Sequence, residues 1–435
     1  MKKILGLLKG KFAQNAGWLI GAKIYQLITN LVISALMARY LGASDFGLVN
    51  YAASFATLFT AICTLGIDSI LVNELLKDRS KNGTQLGSAI GLRLCSSTLS
   101  VLTILGLAWV LNPKEPLTIQ VVFIYSISLT FQCFDTINSW FQANLESKVT
   151  ASASAAGYTI SALYKAFLLI THKDVRWFAA AHAVEYAFVA ILLLISYRRS
   201  RHRLSPIRFN GKVGFGLLSQ SYHFIISGMM IALYGQMDRV MLKSMVNTEA
   251  VGHYSCASTI SSFWAFVLVA IIDAAKPMIL AKYNENKAAF ERGLIRLYGA
   301  IIYLSALATL GLSLLSKPLI LIMFGQEYMP ARGALCILSC GTAFAYLGVA
   351  RSIWLVPQGK QKFAKYIAAC GATGNLILNL LLIPKLGIIG ASIATVATQI
   401  FNNFILGFLM PPIRENNKLI LKAFVFWRYL KDPKE

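Results

Sequence analysis

Long apolar runs recur along the whole chain, and they constrain its fold more than any other feature. An α-helix needs about 20 apolar residues to cross the roughly 30 Å hydrocarbon core of a bilayer. Hydrophobic residues make up 57% of this chain and charged residues only 14%, whereas charged residues are about a quarter of a soluble domain. The pattern predicts an all-α integral membrane protein with about 12 transmembrane helices. The twelve predicted spans are 16–37, 48–76, 86–111, 117–140, 150–171, 177–197, 215–237, 252–275, 294–316, 334–356, 366–383 and 388–410.

Basic residues alternate with these runs and predict an orientation. Over the short loops and the two ends, 26 Lys and Arg residues lie on the side of residue 1 and nine on the opposite side. Cytoplasmic loops of membrane proteins carry an excess of Lys and Arg, so both termini are predicted to be cytoplasmic. The net charge of +23 follows from this bias, and no nucleic-acid partner is predicted.

The largest basic cluster, YRRSRHRLSPIRFNGK at 197–212, lies near the midpoint of the chain. It separates two sets of six spans, which predicts a six-helix lobe over 1–197, a cytoplasmic basic linker over 198–213 and a second six-helix lobe over 214–410. Residues 411–435 are predicted to form a basic amphipathic tail on the cytoplasmic leaflet, with aromatic anchors at the interface.

The two halves share a weak internal repeat. Gln14 and Gly47 are 33 positions apart, and Gln220 and Gly252 are 32 apart in similar sequence surroundings. Because six helices separate corresponding positions, both halves enter the membrane from the same side, as in a parallel repeat. Such a repeat predicts two lobes around a central cavity.

Cysteine usage and loop length argue against a metal site and against an enzyme. The seven cysteines all lie in apolar runs, which predicts buried apolar residues rather than disulfides or ligands. Cys336 and Cys340 are one helical turn apart, but no His or carboxylate stands beside them at ligand spacing. The loops are too short for a soluble catalytic domain.

Five stretches lie in order at the ends of predicted helices: ARYLGASDFGLVNYAASF (38–55), FDTINSWFQANLESK (134–148), QMDRVMLKSMVNTEAVGHYSCAS (236–258), FGQEYMPARGAL (324–335) and LLIPKLGIIGASIATVATQ (381–399). Together they resemble the Wzx-type O-antigen and polysaccharide flippases. That family belongs to the multidrug, oligosaccharidyl-lipid and polysaccharide exporter superfamily. The motif residues assigned structural roles are Gly42, Gly47, Asp238, Arg239 and Gly252, and Asp238 and Arg239 are each expected to dock a neighbouring helix.

The resemblance implies a MATE-like, two-lobed transporter of the bacterial inner membrane. Its substrate would be an undecaprenyl-pyrophosphate-linked oligosaccharide, moved from the cytoplasmic to the periplasmic leaflet by alternating access. Membrane lipid is an expected partner, and a polysaccharide polymerase and a chain-length regulator are candidate partners. No cofactor is predicted beyond a coupling ion, H⁺ or Na⁺.

Basic residues deep in the predicted spans are candidates for binding the diphosphate or the glycan. A charge at mid-helix costs roughly 2.5–3.5 kcal/mol, so it should face a wet cavity or a partner. Snorkelling of the long side chains to the interface is the alternative, and it is the expected explanation for Lys276, Arg296 and Arg351. The substrate-binding candidates are Lys23, Arg93, Lys165 and His223.

Acidic residues in the spans are candidates for ion coupling. Glu185 follows His182 by three residues, so the two share a helix face and form the pair most sensitive to protonation. A structural hydrogen bond between two helices is the alternative interpretation. The ion-coupling candidates are Asp68, Asp135, His182 and Glu185.

Two other classes of protein stay open at this point. A multidrug or cation antiporter of the same superfamily would need an anionic cavity, whereas basic residues match or exceed acidic ones at depth here. A membrane polysaccharide polymerase or ligase would need a sizeable periplasmic loop carrying catalytic residues, and no such loop is predicted.

Overall fold

A computed structural model describes residues 11–78, 81–200, 207–283 and 286–429. Helices make up nearly all of these ranges, and no β-strand occurs within them. Ten helical stretches in the same ranges are long and apolar enough to cross a membrane. The predicted all-α, multi-pass membrane fold is therefore confirmed.

Two of the ten stretches are long enough for two crossings each. Gly21–Thr64 has 44 residues and Lys362–Leu409 has 48, about twice the length of one crossing. Each contains a glycine with positive φ, 73° at Gly42 and 55° at Gly387, a conformation that glycine adopts without steric cost. With these two stretches counted as pairs, the structure is consistent with the predicted twelve spans.

Contacts along the chain define two compact units, Met1–Gln236 and Met237–Glu435. The first unit begins with the helix kinked at Gly42 and ends within the helix that crosses the boundary. Its helices are α1 (Lys11–Thr64), α2 (Asp68–Lys77), α3 (Asn82–Leu111), α4 (Pro116–Ser126), α5 (Ser128–Gln132), α6 (Thr136–Ala143), α7 (Ser147–Ile170), α8 (Val175–Arg198) and α9 (Gly211–Met245), with a 3-10 turn at Cys133–Asp135.

The second unit contains the helix kinked at Gly387 and ends in short helices after the last apolar run. Its helices are α10 (Thr248–Phe263), α11 (Phe266–Ala281), α12 (Lys287–Leu314), α13 (Ser316–Met323), α14 (Ala331–Ala350), α15 (Ser352–Leu355), α16 (Lys362–Ile400), α17 (Leu406–Leu409) and α18 (Arg414–Ala423). Shorter turns lie at Gln326–Tyr328, Phe401–Ile405, Pro411–Ile413 and Phe426–Tyr429.

The boundary between the units falls inside α9, whereas the sequence places the lobe boundary in the linker at 198–213. The first half of α9 packs within the first unit: a Cβ added at Gly66 would meet Phe224 Cβ at 2.6 Å. Just before α9, the backbone N–H of Asn210 donates to Ser88 Oγ at 3.0 Å. Residues 201–206 of the linker lie outside the described ranges, so the predicted lobe and linker boundaries stay predictions.

The C-terminal segment packs on the core of its own unit. Leu419, Ile420 and Ala423 of α18 are buried in a cluster with Tyr298 of α12 and Trp354 of α15. Burial of apolar side chains contributes roughly 1.5–3 kcal/mol for each large one, which fixes this face of α18 to the protein. The predicted contact of the segment with the membrane leaflet stays a prediction.

A buried arginine also holds α18, and here one expectation was wrong. Arg351 is only 2% exposed, so its head group does not snorkel to an interface. Its Nε donates to Asn416 Oδ1 at 3.2 Å and its Nη2 to Asn417 Oδ1 at 3.4 Å, with a further bond to the Asn403 carbonyl. The reason is that α18 covers the end of α14 and supplies neutral oxygens inside the protein.

Candidate functional site: a charged network in the first unit

Arg93 on α3 forms the first part of the site. It is 1% exposed, and its Nη1 donates to Asp68 Oδ1 at 2.8 Å and to Thr136 Oγ1 at 3.0 Å. Asp68 opens α2, and its side chain is 49% exposed. The guanidinium is therefore buried while its carboxylate partner stays accessible, so another anion could replace that partner.

Glu185 and its neighbours form the second part. Glu185 on α8 is 8% exposed, and His182 Nδ1 lies 4.0 Å from Glu185 Oε2. The His182 ring stacks on Tyr125 at 4.7 Å between centroids, which fixes its position. Lys165 on the neighbouring α7 is within electrostatic range of both Glu185 and His182.

Asp135 connects the two parts. It ends the 3-10 turn between α5 and α6, where the break in the helix carries its carboxylate into electrostatic range of Arg93, Asp68 and Glu185. We call these six residues the charged network, which contains three carboxylates, two cations and one histidine. Its members are Asp68, Arg93, Asp135, Lys165, His182 and Glu185.

The two remaining substrate-binding candidates differ in their relation to this network. Lys23 on α1 is exposed and donates to Gln26 Oε1 at 3.0 Å. Gln26 in turn bonds to Tyr158, which lies within electrostatic range of Asp135 and Glu185. Lys23 is therefore connected to the network only indirectly. His223 on α9 is exposed and its ring lies against Tyr222. In the described parts of the chain, no hydrogen bond or ion pair joins His223 to the network.

Asp238 has a role in the second unit that the sequence did not predict in this detail. It is 3% exposed and accepts hydrogen bonds from Tyr254 Oη at 2.5 Å, Asn379 Nδ2 at 2.6 Å and Thr395 Oγ1 at 2.6 Å. Asn375 lies one turn from Asn379 and accepts from it at 3.0 Å. This i, i+4 asparagine pair inside an apolar run was the signal available in the sequence.

Arg239 and the motif glycines lie at contacts between helices or at a helix break. Arg239 donates to Ser255 Oγ and Ser258 Oγ on α10 at 3.1 and 3.3 Å, and its guanidinium carbon lies 6.0 Å from the centroid of the Tyr254 ring, whose hydroxyl binds Asp238. Gly42 breaks α1, and Gly47 and Gly252 are buried. Across the residues with described positions, no group of three His, Cys, Asp or Glu could hold a metal ion.

Two solved structures share the fold of this chain. The chain is similar to the lipid II flippase MurJ in an inward closed conformation, with TM-score 0.73 and 16% identity over 96% of this chain and 93% of that one. It is also similar to an inward-facing multidrug resistance MATE family transporter of the MOP superfamily, with TM-score 0.71 and 14% identity over 91% and 96%. The chain therefore has the fold that the structures of these two membrane proteins share.

The family is shown by the sequence. The model of the polysaccharide biosynthesis protein family matches residues 12–281, which is more than half of the chain, so this protein belongs to that family. A relative in Staphylococcus aureus, the capsular polysaccharide biosynthesis protein CapF, is 19% identical over 89% of this chain and 96% of its own length. The resemblance inferred from the five motifs is therefore confirmed.

Proposed function

We propose that this protein is a flippase that moves an undecaprenyl-pyrophosphate-linked oligosaccharide from the cytoplasmic to the periplasmic leaflet by alternating access. Membership of the polysaccharide biosynthesis family supports the substrate class. The observation that carries the proposal is the charged network of the first unit, of which every member except Asp68 lies in a helix long and apolar enough to cross a membrane. An intramembrane charge costs roughly 2.5–3.5 kcal/mol, so a cluster of Arg93, Asp135, Lys165 and Glu185 in such helices indicates a function beyond stability.

The network offers both signs of charge that such transport needs. Lys165 and Arg93, with Lys23 at the edge, are the candidates for binding a diphosphate through charge-assisted hydrogen bonds. Because Asp68 is accessible while Arg93 is buried, the diphosphate would take the place of Asp68 on the guanidinium. Protonation or sodium binding at Asp68, Asp135, Glu185 or His182 would favour that exchange and couple it to an ion gradient.

A matched pair of lysines on α7 tests the proposal. Lys165 belongs to the charged network, whereas Lys148 near the start of the same helix is exposed, with its Nζ 5.1 Å from the Trp18 ring centroid. K165Q should reduce surface glycan about tenfold or more, because a charge-assisted contact is worth roughly 1.5–3 kcal/mol. K148Q should leave surface glycan near the wild-type level.

The measurement is surface glycan in cells where this protein is the only exporter, at equal protein level in the membrane. Lipid-linked oligosaccharide should accumulate with K165Q. Equal amounts of surface glycan in the two variants at matched protein level would show that the network does not bind the substrate.

The multidrug antiporter is the second candidate, because the MATE transporter shares the fold. It predicts that K165Q changes resistance to cationic drugs while surface glycan is unaffected. The same two variants therefore separate the two functions.

A further inference from the structure

A cleft of about 680 Å³ lies in the second unit between α18, the start of α12 and the turn after α15. Its floor includes the buried side chains of Phe290, Trp354 and Leu419. Cavities of roughly 300–1,000 Å³ are the usual size for a small-molecule site. Because Arg351 and the buried face of α18 fix one wall, the cleft is a built feature of the fold.

Three lysines from two separate elements surround this cleft. Lys287 comes from the start of α12, and Lys418 and Lys422 come from one face of α18. Two glutamates, Glu291 and Glu415, also line it, so the lining carries a net positive charge.

These lysines form no ion pair with any residue that the structure describes. In the part of the chain that the structure describes, none of the three has a carboxylate oxygen within 4.0 Å. Lys77 and Lys81 in the first unit behave differently, since they pair with Glu74 at 2.6 Å and with Asp78 at 2.9 Å. Three ammonium groups around one cavity, without a carboxylate partner among the described residues, favour an anionic ligand.

The surroundings of the cleft favour a lipid over a soluble anion. Leu421, Phe424 and Trp427 on the same segment are 46%, 43% and 52% exposed, which is unfavourable in water and favourable at a membrane interface. Lys287, Lys418 and Lys422 belong to the side that the charge bias predicts to be cytoplasmic. Basic pockets on that side of membrane proteins bind the head groups of anionic lipids.

We propose that this cleft binds the phosphate head group of an anionic phospholipid from the adjacent leaflet. Lys287, Lys418 and Lys422 contact the phosphate, while the exposed apolar residues of the segment lie against the acyl chains. Such a lipid would hold the end of the second unit at the bilayer surface. The site is separate from the charged network, which belongs to the other unit.

The test measures binding of phosphatidylglycerol and of phosphatidylcholine to the purified full chain by native mass spectrometry. Wild-type protein should retain phosphatidylglycerol over phosphatidylcholine, because choline cancels the phosphate charge. The variant K287Q/K418Q/K422Q should bind phosphatidylglycerol about tenfold or more weakly, since each lysine near a lipid surface contributes about fivefold. The triple lysine-to-arginine variant should restore binding, and added salt should weaken it.

A charge-matched control is K77Q/K81Q/K212Q, which removes three lysines from the same predicted side without touching the cleft. An equal loss of binding in this control would overturn the proposal, because it would show only general attraction of charges. Inorganic phosphate that displaces phosphatidylglycerol at millimolar concentration would also overturn it, by showing a soluble-anion site. If the triple glutamine variant unfolds, K418Q alone should still bind phosphatidylglycerol about fivefold more weakly, and unchanged binding would refute the assignment.

Discussion

At the scale of single residues, the two buried arginines Arg93 and Arg351 are stabilised by different kinds of partner. Arg93 has a carboxylate at 2.8 Å, whereas Arg351 has only amide and carbonyl oxygens among the residues with described positions. Removing a charge from water costs several kcal/mol, and each hydrogen bond to a charged group returns roughly 1.5–3 kcal/mol. The partner of Arg93 is 49% exposed, as the proposed exchange for a diphosphate requires, whereas Asn416 and Asn417 beside Arg351 are buried.

The substitution G387A tests whether the break in α16 depends on the backbone conformation of Gly387. Its φ and ψ are 55° and −128° and a Cβ added there would meet nothing within 4 Å, so G387A should cost about 1–3 kcal/mol of folding stability through backbone strain. The measurement is the unfolding midpoint of purified protein in detergent.

Gly374 is the matched control because it lies in the same helix, also with open space around an added Cβ. G374A should be neutral or stabilising, since alanine favours a helix over glycine by about 1 kcal/mol. Equal midpoints for the two variants would mean that positive φ at Gly387 is not required.

At the scale of elements, the apolar pattern predicted the helix breaks at Gly42 and Gly387, whereas the predicted span 48–76 is itself interrupted between Thr64 and Asp68. The predicted spans 16–37 and 48–76 flank Gly42, and the spans 366–383 and 388–410 flank Gly387. This succeeds because a span has a fixed length, so a longer helix must turn near a glycine or a proline. Local sequence was sufficient for this result.

Contacts between distant elements could not be predicted in the same way. Asp238 meets Asn379 and Thr395, which are 141 and 157 positions away. Arg351 meets Asn416 after 65 positions. Helical periodicity places each residue on a face of its own helix, but it does not say which helix that face contacts. The spacing in the sequence paired His182 with Glu185, but it did not indicate that this pair lies near Arg93, Asp68 and Asp135.

The C-terminal segment should be required for a stable second unit. A chain that stops after Ile413 loses α18, which exposes the apolar surface beneath Leu419 and Ile420 and removes two side-chain acceptors of Arg351. The loss should amount to several kcal/mol. Protein level in the membrane and the unfolding midpoint should both fall sharply.

A chain that stops after Tyr429 is the control, because it keeps α18 and the bond from Arg296 Nε to the Tyr429 carbonyl at 2.6 Å. It should behave like the full chain. Similar stability for both truncated chains would mean that α18 is dispensable.

At the scale of the whole molecule, the charge bias predicts that alternate loops lie on opposite sides of the membrane. Single cysteines tested in a cysteine-free background check this: K317C lies in the turn at the start of α13 and K360C in the turn after α15. An impermeant maleimide added to whole cells with a permeabilised outer membrane should label K317C and leave K360C unlabelled. The reverse pattern would invert the orientation and place the lysine-lined cleft outside.

The bond between Arg351 and α18 also sets an order of assembly in the cell. Asn416 and Asn417 are translated 65 and 66 residues after Arg351, so the guanidinium enters the membrane before these partners have been made. Until α18 emerges and docks, water or lipid phosphate must solvate that charge near the end of α14. The second unit therefore cannot complete its fold until α18 has been made.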